Sequence, residues 1–165
     1  MERLRQATEE DLDKIGPLWQ ALYAHQAEHG MLLKLEDDAY QAWLQSMAPF
    51  LGRFANIVVA EMDGKIVAFV AGRIRTLPPC FGSQTIGTIS EVFVSAELRG
   101  GGIGRRLLNF AMEWFKEQGI DRVELQVVAG NPDGIRFYQQ LGWHEELRQM
   151  VFDTRRLQAE SKLAA

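Results

Sequence analysis

The sequence predicts a single domain of the α/β (α+β) class, built on a central mixed, mostly antiparallel sheet that contains one parallel pair of strands. Three observations predict it. Two β-rich runs, at 56–61 and 65–75, are separated by Met62-Asp63-Gly64, and an Asp-Gly pair between apolar runs is a strong hairpin signal. Downstream the pattern alternates: a strand at 86–94, a helix at 102–118 closed by Gly119, a strand at 122–128 and a helix at 132–141 closed by Gly142. The right-handed crossover of serial strand-to-helix units then makes the strands at 86–94 and 122–128 parallel neighbours, so both following helices begin at one edge of the sheet.

The remaining elements follow in chain order. Leu4 to Ala7 reads as a short first strand. From about Asp11 a helix presents Leu12, Ile15, Leu18, Trp19, Leu22 and Tyr23 on one apolar face, with Pro17 expected to kink or delay it. A second helical stretch, at about 35–47, carries Ala39, Tyr40, Trp43 and Leu44 and is ended by Pro49. Residues 77–85, with Pro78-Pro79, form a loop into the strand at 86–94. Asn131-Pro132 supplies an N-cap and a proline at the first helical position of the last helix. A terminal antiparallel pair is expected after that helix, and residues 157–165 read as a polar tail.

Composition narrows the function classes. At 165 residues and 47% hydrophobic content the chain supports one core, burying about 70% of its unfolded surface. No apolar run approaches the roughly 20 residues of a membrane span and the N-terminus lacks an apolar leader core, so a soluble cytoplasmic protein is expected. Cys80 is the only cysteine, and the histidines (His25, His29, His144) are scattered. An internal disulfide is therefore excluded, a cysteine-based zinc site cannot form, and no metal is expected. A net charge of −4 argues against nucleic-acid binding through a basic surface and leaves cationic amines as compatible partners.

The chemistry concentrates at the junction Leu98-Arg-Gly-Gly-Gly-Ile-Gly-Arg-Arg-Leu-Leu-Asn109, wedged between the strand-like Thr88-Ile-Ser-Glu-Val-Phe-Val94 and an amphipathic helix. Glycines at 100, 101, 102 and 104 let the backbone approach a ligand, and the unpaired N–H groups at the helix start, aligned with its dipole, form a phosphate or pyrophosphate site. Gly-x-Gly-x-x-Gly fails because the third glycine falls on Arg105 or Leu107, and the only Gly-Lys pair, Gly64-Lys65, sits in the hairpin turn. What remains is Arg99-x-x-Gly102-x-Gly104.

That motif resembles the pyrophosphate loop of the GNAT superfamily of acyl-coenzyme A N-acyltransferases, Arg/Gln-x-x-Gly-x-Gly/Ala. A second stretch, Asn131-Pro-Asp-Gly-Ile-Arg-Phe-Tyr138-Gln-Gln-Leu-Gly142-Trp143, is similar to the family's downstream helix, with Gly134 in place of the usual alanine and Trp143 in place of phenylalanine. Leu4-Arg5-x-Ala7-Thr8-x-x-Asp11-Leu12 resembles the family's opening strand and helix, so the resemblance covers residues 3–153. It implies helices on both faces of the sheet and acetyl-CoA at the parallel pair. The cofactor-binding residues it implies are Val92, Phe93, Val94, Arg99, Gly100, Gly101, Gly102, Ile103, Gly104, Arg105, Asn131, Asp133 and Tyr138. Arg106 clusters with Arg99 and Arg105 where the coenzyme phosphates would lie.

The resemblance further implies direct acetyl transfer to a primary amine. An alkylammonium with a pKa near about 10.4 must lose a proton first, and Glu91, on the strand feeding the glycine loop, is the leading acceptor. Several relatives place the acidic residue one position earlier, at Ser90; Glu124, a histidine or a water chain are the other options, and Gln126 stands where some relatives carry a glutamate base. A developing oxyanion needs N–H donors, which the resemblance assigns to the backbone of Val92, Phe93 and Val94. Tyr138 occupies the family position of the acid that protonates the departing thiolate. Read without the family, Glu91 is a strand carboxylate at a surface or in a salt bridge, Val-Phe-Val a plain core strand, Tyr138 a core residue and Cys80 a loop thiol. Tyr23, His25, Glu28, His29 and Tyr40 lie in the helices that line the acceptor pocket in relatives.

The expected activity is N-acetylation of a small amine such as a polyamine, an amino-acid derivative or an aminoglycoside. Protein or peptide acetylation and a non-catalytic acyl-CoA-binding module are the alternatives, and a plain phosphate-binding domain is a third. Relatives are often dimers, so a homodimer is a further expectation.

Overall fold

The computed structural model describes residues 1–155. Five strands run β1 (Glu2–Gln6), β2 (Ala55–Met62), β3 (Lys65–Thr76), β4 (Thr85–Val94) and β5 (Val123–Leu125), and lie in the sheet in chain order. The first three pairings are antiparallel and β4–β5 is parallel. Four helices, α1 (Leu12–Glu28), α2 (Ala39–Met47), α3 (Ile103–Glu117) and α4 (Pro132–Gln140), complete the α/β domain.

Alternation along the strands makes two cores, one on each face. Ile57, Val59, Phe69, Ala71 and Phe93 face α1 and α2, where they pack with Ile15, Trp19, Trp43 and Met47. Val58, Ala60, Ala68, Val70 and Ile89 face α3 and pack with Leu107, Leu108, Trp114 and Phe115, while Phe137 and Tyr138 of α4, and Leu141 just after it, join the rim of that second cluster. Between β2 and β3, Asp63 and Gly64 both adopt positive φ (50° and 78°), the requirement of a tight two-residue hairpin turn.

Several expected elements differ in extent. Helix α1 runs unbroken through Pro17. The ring removes the hydrogen bond that would reach Asp13, an exposed residue near the start of the helix. The second helix starts at Ala39 rather than near 35, because Leu32, Leu33 and Leu35 find no core and remain exposed. Strand β5 covers Val123–Leu125 and not 122–128. The terminal antiparallel pair is absent from the described residues: 143–153 carry no strand, and Leu147, Met150, Val151 and Phe152 are exposed. His144, Glu145, Glu146 and Arg148 interrupt the alternation there, and the Arg122–Glu146 and Arg148–Glu145 ion pairs tether side chains without setting a backbone register. The expected tail at 157–165 lies outside the described residues.

Candidate active site

The parallel pairing of β4 with β5 lasts only from Gly87↔Val123 to Ile89↔Leu125. Beyond it the two chains separate, and a cavity of about 750 Å³ opens between Ser90, Val92, Phe93 and Val94 on one side and Gln126, Val127 and Val128 on the other. That volume lies within the range of small-molecule and cofactor sites. Leu22, His25 and Gln26 of α1, His29 just after it, and the starts of α3 and α4 complete the wall. At the rim, a Cβ at position 130 would lie 2.1 Å from the His29 carbonyl oxygen, so only glycine allows the loop before α4 to touch the end of α1.

Two helix N-termini converge on the cavity. Helix α3 starts after Gly102, which holds φ 80° and offers no side-chain cap, so the first amides of the helix (Ile103, Gly104, Arg105) lie on the cavity wall without one. Gly104 abuts Phe137: a Cβ there would come 3.2 Å from the ring. Helix α4 starts at Asn131, whose Oδ1 accepts the Gly134 N–H at 3.0 Å. Two positive dipole ends on one concave surface, with the free N–H groups at the start of α3, make an anion site.

The expected cofactor residues fall on this wall with one exception. Val92, Phe93, Val94, Arg99, Gly100, Gly102, Ile103, Gly104, Arg105, Asn131, Asp133 and Tyr138 all line the cavity, whereas Gly101 does not. Gly101 instead presents its carbonyl to Arg106 Nη1 at 3.2 Å. The arginines divide. Arg99 folds back along β4, donating from Nε to the Val94 carbonyl at 3.0 Å with its guanidinium 5.5 Å from the Phe93 ring centre. Arg105 lines the cavity, and Arg106 is turned away to pair with Glu2 at 2.5 Å.

Tyr138 lines the cavity, and burial alone pushes its hydroxyl up to about 12. Glu91 does not line it. Only 3% exposed, it sits on the α1/α2 face, where its Oε1 accepts from Tyr23 Oη at 3.1 Å and Trp43 Nε1 at 3.0 Å and its Oε2 accepts from Ser90 Oγ. Burial pushes its carboxyl above the usual range; those three donors and the charge of Arg73 pull the other way. Glu124 is tied to Arg75 and Arg122 on the surface. The His25 and His29 rings meet on the wall with centres 4.1 Å apart and planes tilted by 34°, and burial followed by the neighbouring His29 lowers the pKa of His25. Tyr23, Glu28 and Tyr40 stay off the wall, and Cys80 is an exposed loop thiol.

Sequence reasoning missed the parts of the wall that come from the separation itself: Leu125, Val127 and Val128 from β5 onward, and Leu22 and Gln26 from α1. The one local signal was Gly130. No group of three or more His, Cys, Asp or Glu that could hold a metal occurs among the described residues, and no described helix is long and apolar enough to cross a membrane.

A mixed sheet opened at its parallel pair, with two helix starts on the wall of the opening, frames the site. The chain belongs to the acetyltransferase (GNAT) family, whose profile matches residues 17–143. It is 32% identical over 143 residues to an uncharacterised N-acetyltransferase of Methanocaldococcus jannaschii, covering 87% of this chain and 61% of that protein. A second uncharacterised N-acetyltransferase, from Archaeoglobus fulgidus, is 32% identical over 135 residues, covering 82% of this chain and 88% of its own length. Among solved structures, an aminoglycoside N-acetyltransferase in complex with CoA superposes with a TM-score of 0.75 at 19% identity, covering 94% of this chain and 95% of that one. This last likeness is one of fold.

Proposed function

We propose that the chain is an acetyl-CoA-dependent N-acetyltransferase acting on a primary amine of a small molecule. The opening between β4 and β5 carries this reading, because it places the helix-start amides of α3 and the freed edge of β4 in one cavity. The wall fits the coenzyme: uncapped helix amides at 103–105 for the pyrophosphate, Arg105 for phosphate charge, and the open edge of β4 at 92–94 with the segment after β5 at 126–127 for the amides of an extended arm. Acetyl-CoA, when bound, supplies the acyl thioester.

The chain's own groups then have three tasks. The backbone N–H groups of 92–94 that face away from β3, freed from β5, would donate to a developing oxyanion. Tyr138 holds a proton at its hydroxyl on the cavity wall, where the departing sulfur would take it up. Residues of α1 on the cavity wall position the acceptor. The CoA-bound aminoglycoside acetyltransferase of similar fold supports the coenzyme assignment and a small acceptor.

The test is an acetyl-transfer screen over polyamines, aminoglycosides, amino acids and peptide N-termini, read by release of free CoA. Turnover confined to small amines is expected. Turnover confined to peptides makes the chain a peptide acetyltransferase, and coenzyme binding without turnover on any acceptor makes it a binding module.

A further inference from the structure

The pairing of β3 with β4 slips by one residue. Ala71 pairs with Glu91 and Gly72 with Ile89, which leaves Ser90 without a partner. Ser90 is the extra residue of a β-bulge, and bulges re-aim side chains. In a regular strand, consecutive side chains point to opposite faces and cannot meet. Here they do: Ser90 Oγ donates to Glu91 Oε2. The bulge also inverts the sidedness of β4, so that Ile89 packs toward α3 while Glu91 and Phe93 turn toward α1 and α2.

The two residues differ in access. Ser90 is exposed on the cavity wall, and Glu91 lies directly behind it, buried. A hydroxyl has one hydrogen and two lone pairs. With its hydrogen on Glu91, Ser90 turns lone pairs toward the cavity, where an ammonium N–H would meet them; its other neighbour, the Ala71 carbonyl, is a longer contact at 3.4 Å.

We infer that Ser90 is a catalytic residue that relays the proton of the acceptor ammonium to the buried carboxylate of Glu91. This rests on the acetyltransferase reading above. The ammonium N–H bond breaks and its proton bonds to Ser90 Oγ, while the original Ser90 proton moves to Glu91 Oε2. The amine gains a free lone pair, Glu91 becomes a neutral acid and Ser90 is unchanged. The same path, run backwards to solvent in the emptied cavity, resets Glu91.

An exposed carboxylate near about 4.3 sits far below an alkylammonium near about 10.4, so burial of Glu91 narrows that gap. The charged and titratable groups around it are Tyr23 from α1, Arg73 from β3 and, beyond Trp43, Tyr40 from α2. Burial raises Tyr23 and Tyr40, leaving both phenols neutral, and Arg73 is held by the Ser46 carbonyl at 3.1 Å.

The experiment compares wild type, Ser90→Ala, Ser90→Thr, Glu91→Gln and the double variant Ser90→Ala/Glu91→Gln, using the best acceptor from the screen between pH 6.5 and about 10. A retained rise in Tm with acetyl-CoA shows each variant folded. The relay requires Ser90→Ala to lose about 10- to 100-fold in kcat at pH 7 and to recover as the free amine accumulates. It also requires Ser90→Thr to keep most of the rate, and the double variant to be no slower than the slower single one. A Ser90→Ala rate equal to wild type at pH 7, or losses that multiply in the double variant, overturns the relay and leaves the acetyltransferase reading intact. NMR titration of the Glu91 carboxyl gives a readout free of turnover: losing the Ser90 bond should raise its pKa in Ser90→Ala, and an unchanged value overturns the relay. Wild type that binds acetyl-CoA yet acetylates no acceptor overturns the acetyltransferase reading, and the relay with it.

Discussion

Asn131 leans over Gly134: its Oδ1 accepts the Gly134 N–H at 3.0 Å, and its Nδ2 lies 2.6 Å from where a Cβ at 134 would stand. The family pattern carries alanine at that position. In this chain the Asn131 side chain lies where that methyl would stand.

Asn131→Ala should therefore cost about 1 kcal/mol through loss of the cap. Gly134→Ala should be close to neutral, because a helix-propensity gain of up to about 1 kcal/mol offsets displacement of the cap. Urea denaturation of both variants checks the pair. Full propensity gain in Gly134→Ala would show that Asn131 swings aside at no cost.

Acetyl-CoA at 100-fold above its Kd should stabilise the fold by about 2.7 kcal/mol, seen as a rise in Tm. Gly104→Glu places a carboxylate among the α3 amides and a Cβ 3.2 Å from Phe137, so the rise should vanish. Gly102→Glu should behave alike, since it adds a strained positive φ and a Cβ 2.9 Å from Arg106 Nη1. A normal shift in either variant would remove the pyrophosphate from the start of α3.

Tyr138→Phe keeps the ring against Phe137 and Trp143 and removes only the hydroxyl. Stability and acetyl-CoA affinity should hold within a few-fold while kcat falls about 10- to 100-fold. With its hydroxyl pushed up to about 12, Tyr138 is a weak acid toward a thiolate near about 8.5, so a larger loss is not expected. An unchanged kcat would make Tyr138 a packing residue.

Asp11 predicts an acid-side stability change. Arg5 grips its carboxylate with two bonds of 2.6 and 2.9 Å, Thr8 adds a backbone N–H, and together they hold it well below the usual carboxylate range. A depressed folded-state pKa contributes stability that is present above the unfolded value of about 3.9 and is lost as pH falls toward the folded one. Asp11→Asn should cost about 2 kcal/mol at pH 7, a figure kept modest because Arg5 is partly exposed. The difference from wild type should narrow below about pH 4. A pH-independent difference would assign the loss to packing.

What was legible in the sequence was local. The Asp63-Gly64 turn, the Asn131-Pro132 helix start and the glycine junction at 100–104 each announce themselves within a few residues, because turn and cap chemistry is decided within a few residues. The bulge at Ser90 was not legible. It is a relation between β3 and β4, and nothing within 88–94 distinguishes a regular Val-Phe-Val strand from one that has slipped a register. For the same reason the sequence placed Glu91 toward the ligand, whereas one extra residue turns it into the aromatic cluster of Trp19, Tyr23 and Trp43. The early end of β5 and the unformed terminal pair are likewise failures of long-range pairing, which local alternation does not report.

The three residue pairs that join β5 to β4 also make one edge of the sheet easy to open. Strands β1 to β4 are joined by ladders of five or more residue pairs, whereas β5 is held by three. So short a ladder is the cheapest one to break. We expect amide hydrogen exchange to be fast at 123–128 and slow in β2 and β3. A ligand seated in the opening should slow exchange at 123–128 by far more than anywhere in β2, acting as a clasp on the weakest edge of the sheet.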